Sequence, residues 1–75
     1  MAPNEALKAW LEREQIKPPE FARRLSYDRS NLWNLLEGNI WPSLPLALKI
    51  ERETGGAVPM SAWAEAKAAA QERAA

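Results

Sequence analysis

The sequence predicts an all-α fold: a compact five-helix domain with a helix-turn-helix at its second and third helices. Three observations predict it. Apolar residues recur at i, i+3 and i+4 rather than in alternation. Helix-starting and helix-stopping residues punctuate the chain at short intervals. No segment carries the β-branched alternation of a strand. With 75 residues, 47% of them apolar, the chain reads as one domain over 1–75. Its core is expected over about 4–63 and an Ala-rich helical tail over 64–75.

The first helix is expected over Glu5 to Glu14, with Asn4 as its N-cap. Leu7, Trp10 and Leu11 fall on one face of it, which places Trp10 in the core. The second helix begins at Pro18-Pro19 and ends near Leu25. Proline costs little in a first helical turn, where the backbone N–H groups have no intrahelical partner. Phe21 and Leu25 share its inner face, with Ala22 leaving room for a close neighbour.

The third helix starts at Asp28, a good N-cap, and stops at Gly38. Leu32, Leu35 and Leu36 point inward, leaving Arg29, Ser30, Asn31, Trp33 and Asn34 outward or on the flanks. The fourth helix runs from Leu44 to about Thr54, capped by Ser43 and stopped by Gly55-Gly56. Its wide apolar arc of Leu44, Leu46, Ala47, Leu48 and Ile50 predicts the central helix of the bundle. Glu51 lies near that arc, so it is expected to be paired or at the rim, because a lone buried carboxylate is costly. The fifth segment begins near Pro59 and has high helix propensity, but beyond Trp63 its only apolar surface is alanine.

Composition narrows the function classes. The chain has no cysteine and no histidine, which removes disulfides, thiolate metal sites and the usual general base. No carboxylate pair sits in an apolar setting that would tune one as acid and the other as base. An enzyme is therefore not expected, nor a metal or cofactor. No segment approaches a membrane span and no basic-then-apolar leader opens the chain, so the expected location is cytoplasmic. Ten basic and ten acidic residues give zero net charge, low for a nucleic-acid binder. The segment Lys17 to Ser43 is +1 and Met1 to Ile16 is −1.

Residues Phe21 to Gly38 read as two short helices joined by a tight turn, an arrangement that can brace one helix while presenting the next to the DNA major groove. Here the chain resembles the Cro and lambda-repressor-like helix-turn-helix family, also called the XRE family. The residues that carry the likeness are Phe21-Ala22-Arg23-Arg24-Leu25, the capped turn Tyr27-Asp28, Arg29-Ser30-Asn31-Leu32 and the closing Gly38. Pro42-Ser43-Leu44, Leu46 to Glu51 and Thr54 to Pro59 are similar to the C-terminal half of short phage or bacterial regulators of this type. Ser26 stands at the turn position that is usually glycine, so an unchanged turn would put it in strained backbone.

The resemblance implies a small regulator, a repressor in the first reading, that binds operator DNA as a two-fold homodimer and is bacterial or phage-encoded. Arg29, Ser30, Asn31, Trp33 and Asn34 fall where such proteins read base edges, with Asp28 at the helix start. Lys17, Arg23 and the loop after Gly38, including Asn39, fall where they touch phosphates. Asn31 and Asn34 have the chemistry to pair with adenine, and Arg29 to reach guanine or phosphate or else to pair with Asp28 or Glu20. Trp33 has three readings: packing on thymine methyl groups, a protein-binding patch with Ile40 and Trp41, or the edge of the core. Val58, Met60 and Trp63 are candidates for a dimer surface, with Trp63 mostly intramolecular. The dimer surface stays open between the end of the fourth helix with the fifth and the Ile40-Trp41 loop. The alternative function is a helix-turn-helix scaffold used as a protein-interaction module or antitoxin, favoured by the neutral charge, Pro18, Ile40 and Trp41.

Overall fold

The computed structural model describes residues 1–74; Ala75, the last residue of the expected tail, lies outside them. Five helices follow one another: α1 (Pro3–Glu14), α2 (Pro18–Leu25), α3 (Arg29–Leu36), α4 (Leu44–Glu53) and α5 (Met60–Ala74). Among the described residues there is no strand. The fold is an all-α compact globule.

The helices close a ring of neighbours. α1 packs on α3 and α5, α3 on α2, α2 on α4, and α4 on α5. The expectation that α4 is a central helix is therefore corrected: the core is a shared interior into which each helix projects part of one face. Leu7 and Leu11 enter from α1, Phe21 and Leu25 from α2, Leu32, Leu35 and Leu36 from α3, Ile50 from α4, and Trp63 from α5. Val58, in the α4–α5 connection, fills the gap beneath them. Leu44, assigned to the apolar arc of α4, is 72% exposed. As the first residue of α4 it lies at the helix end and is left largely uncovered, so the arc that is buried reduces to Leu46, Ala47 and Ile50.

Local chemistry sets the helix ends. The Asp28 carboxylate accepts the Asn31 backbone N–H at 3.3 Å, and the Ser43 hydroxyl accepts that of Leu46 at 3.3 Å. Each satisfies one donor that its helix leaves unpaired. α2 closes with Ser26 in the left-handed region at φ 53°, while the Tyr27 N–H reaches back to the Ala22 carbonyl at 2.9 Å. That six-to-one bond is the closure glycine normally makes easy, here made by a serine. The α2–α3 turn is thus three residues long and bonded at both ends.

Two expectations about α1 change. It begins at Pro3 with Ala2 as N-cap, and no side chain caps it. Asn4 instead donates from Nδ2 to the Leu36 carbonyl at 3.1 Å, which ties α1 to the last turn of α3. Trp10 is half-buried at the rim of the core, its ring tilted against Phe21 at a centroid distance of 5.9 Å.

Candidate nucleic-acid interface

The chain turns into α3 with its register fixed by three buried leucines, Leu32, Leu35 and Leu36, which leave the opposite side to solvent. At about 100° per residue, Ser30, Asn34 and Glu37 lie most directly opposite them, with Arg29 and Trp33 on one flank and Asn31 on the other. Arg29, Ser30 and Asn31 are exposed, Asn34 is half-buried, and Trp33 is 56% exposed. Trp33 thus stands at the edge of the core, with one side covered by the chain and more than half of it open to solvent.

The hydrogen bonding of these side chains sorts their roles. Asp28 is committed to capping α3, so its carboxylate serves the fold. Asn34 Oδ1 accepts from Asn39 Nδ2 at 3.4 Å, and the Asn39 N–H donates to the Asn34 carbonyl at 2.9 Å. Asn34 and Asn39 thus lock the end of α3 to the loop that follows, and the Asn34 Nδ2 donors have no partner among the described residues. Asn31 has no side-chain partner among the described residues, so both halves of its carboxamide remain available. Arg29 forms no ion pair there either; of its two expected partners, Glu20 is bonded to Arg24 at 2.8 Å and Asp28 caps α3.

Arg23 and Arg29 line one shallow depression of about 390 Å³ with Pro19, Ala22 and Tyr27, where α2 meets the start of α3. The structure brings together a residue expected to touch phosphate and one expected to read a base. Tyr27 was not among the residues singled out for contact; its only signal is its place next to the Asp28 cap, which gives its hydroxyl no obvious role. Neither arginine has an acidic partner among the described residues, so the depression presents two guanidinium groups near the partial positive charge of a helix N-terminus. Such a surface attracts phosphate oxygens.

Lys17 sits elsewhere. It is the N-cap residue of α2 and lines a second groove of about 390 Å³ with Leu11, Ile16, Pro18, Leu36 and Trp33. Trp33 therefore looks toward α1, whereas Ile40 and Trp41 lie by a separate hollow with Asn4, Gly38 and Trp63. The three-residue patch of Trp33, Ile40 and Trp41 is not assembled in one groove.

A third groove, of about 360 Å³, runs between the 41–44 segment and α5. Trp41, 44% exposed, and Leu44 stand on one side, and Met60, Ala64 and Ala68 on the other. Of the two surfaces left open for a dimer, this groove brings together Trp41 and α5; Ile40 and the end of α4 do not line it. Val58 and Trp63 are buried within the single chain, which leaves Met60 as the member of that set with surface to offer.

No group of three or more acidic, histidine or cysteine side chains among the described residues is placed to hold a metal ion. No helix among them is long and apolar enough to cross a membrane. No protein family, curated protein or solved structure matches the chain.

Proposed function

We propose that the chain is a sequence-specific double-stranded DNA-binding regulator of the Cro and lambda-repressor-like type, a repressor acting as a homodimer on a near-palindromic operator. The observation that carries this reading is the outer surface of α3. It is polar at Arg29, Ser30 and Asn31, whose side chains have no partner among the described residues, and is held in one orientation by the Asp28 cap, the bonded Ser26–Tyr27 turn and the Asn4–Leu36 tie. A preset helix reads a groove better than a mobile one, because less ordering entropy is lost on binding.

In this reading α3 enters the major groove with Asn31, Ser30 and Arg29 at base edges. The Asn34 amide donors lie beside them. Arg23, with Tyr27 beside it, grips a phosphate at the α2–α3 junction, while Lys17 and Asn39 reach the backbone on either side. One copy covers few base pairs and carries no net positive charge. Two copies with half-sites about 34 Å apart double the contacts and select a near-palindrome. The second copy packs along the groove between Trp41–Leu44 and the Met60–Ala68 side of α5.

Random-site selection with the purified protein, followed by a gel shift on the selected duplex, tests the reading. A two-fold symmetric consensus, shifted by a species of dimer mass, is the expected outcome. No shift at low salt on any member of a random pool contradicts it.

One observation favours a second reading, a protein-interaction module. Trp41 and Leu44 are large, exposed and adjacent to an apolar groove, as at protein contact surfaces. A monomer in solution that captures a protein through this groove and no duplex through α3 would favour it.

A further inference from the structure

We infer that the duplex read by α3 presents a thymine methyl group to Trp33, and that this apolar contact sets one position of its sequence preference. The inference rests on the DNA-binding reading and goes beyond it by naming the base feature that one side chain selects.

Trp33 is the one large apolar side chain on a surface otherwise made of Arg29, Ser30, Asn31, Asn34 and Glu37, and more than half of it is open to solvent. Its indole offers a single donor and no acceptor. It therefore cannot make the paired donor–acceptor contacts by which asparagine or arginine tells one base from another. What it offers is a flat apolar body. On the floor of the major groove the matching feature is the thymine C5-methyl, since the other edge groups there are hydrogen-bond donors and acceptors.

Placement supports the match. Trp33 follows Arg29 by one helical turn and Ser30 by three residues, so the three share a side of α3. Its inner side shares a groove with Leu11, Ile16, Pro18 and Leu36, which gives the ring an apolar backing. Lys17 stands at the same groove without an acidic partner among the described residues, suited to the sugar-phosphate strand beside the base. The Glu12 carboxylate lines the α1 side of that groove, so the ring's open side, next to Arg29 and Ser30, is the one placed to close over a methyl group.

The experiment is a uracil scan. Each thymine of the duplex found by random-site selection is replaced in turn by uracil, which removes only the methyl group, and equilibrium binding is measured by fluorescence anisotropy. Wild-type protein should lose about fourfold in affinity at one thymine per half-site, the worth of one buried methyl-sized group. Trp33→Ala should bind the thymine and uracil forms equally, with an unchanged circular dichroism spectrum. A flat scan with wild-type protein, selected half-sites that hold no thymine, or a uracil penalty that survives Trp33→Ala would each overturn the inference while leaving DNA binding intact. Because the scan is read first on the unaltered protein, it does not depend on how the variant folds. If no duplex is selected at all, the DNA-binding reading fails and takes this inference with it.

Discussion

Glu51 Oε1 accepts a hydrogen bond from the Met60 backbone N–H at 2.7 Å, so a side chain in the last turn of α4 caps the first turn of α5. Nearby, the buried Thr54 hydroxyl donates to the Ile50 carbonyl at 2.8 Å and accepts the Val58 N–H at 3.2 Å. The two contacts fix the connection that seats Val58 and Trp63 in the core. Glu51→Ala should therefore destabilise the fold by about 1–2 kcal/mol, as loss of a charge-assisted cap does. Urea unfolding should show a lower midpoint with an unchanged slope, and Glu51→Gln should recover part of the loss.

Ser26 takes a left-handed backbone conformation at φ 53°, which costs a residue with a Cβ about 1–2 kcal/mol and glycine little. Ser26→Gly should raise stability by up to about 1 kcal/mol, the gain being trimmed by the greater freedom of an unfolded glycine. The check is a thermal melt; a fall in midpoint would mean that the serine contributes something its backbone geometry does not reveal.

Gly38 lies at φ +82°, and a Cβ added there would come 3.1 Å from Asn4 Nδ2. Gly38→Ala thus strains the backbone and presses on the side chain that holds Leu36. A loss of about 1–2 kcal/mol is expected for Gly38→Ala from the backbone alone, and about 1 kcal/mol for Asn4→Ala from its hydrogen bond. Because both act through the same contact, the double variant should lose less than the sum of the two. Denaturant titrations of the three variants measure that coupling.

The contrast between Asp28 and Asn4 shows how much of this fold was legible in the sequence. Asp28 and Ser43 cap through a bond three residues ahead, a signal contained in the local sequence, and both act as expected. Asn4 looks the same in sequence but bonds 32 residues away, and only tertiary packing could redirect it. Glu51 is half-buried and bonded, as expected, but its partner is a backbone N–H nine residues on, which no charge pattern reveals. Helical spacing identified the buried side of α3, but it grouped Leu44 with the α4 arc because a wheel ignores where a helix ends. Site residues were harder still. Spacing marks Arg23 and Arg29 as exposed, whereas their shared depression with Tyr27 follows from the angle at which α2 meets α3.

That depression yields a prediction about salt. Arg23 and Arg29 have no acidic partners among the described residues, so Arg23→Ala and Arg29→Ala should each leave stability within about 0.5 kcal/mol of wild type. With Arg23 on a phosphate, Arg23→Ala should make the slope of log affinity against log salt shallower by about 0.9, whereas Arg29→Ala, at a base edge, should chiefly relax sequence preference. Arg24, held by Glu20, should change the slope less when replaced by alanine. Binding titrations at four or five salt concentrations distinguish these cases, and an arginine that instead contacts a base would change sequence preference.

The central claim is that the outer surface of α3 meets a duplex, and the most direct measurement is a backbone-amide NMR titration with the DNA selected from a random pool. The account predicts chemical-shift changes concentrated at residues 29–34, with smaller ones at Lys17, Arg23, Tyr27 and Asn39. Changes concentrated instead at Trp41–Leu44 and the facing side of α5, with α3 silent, would contradict it.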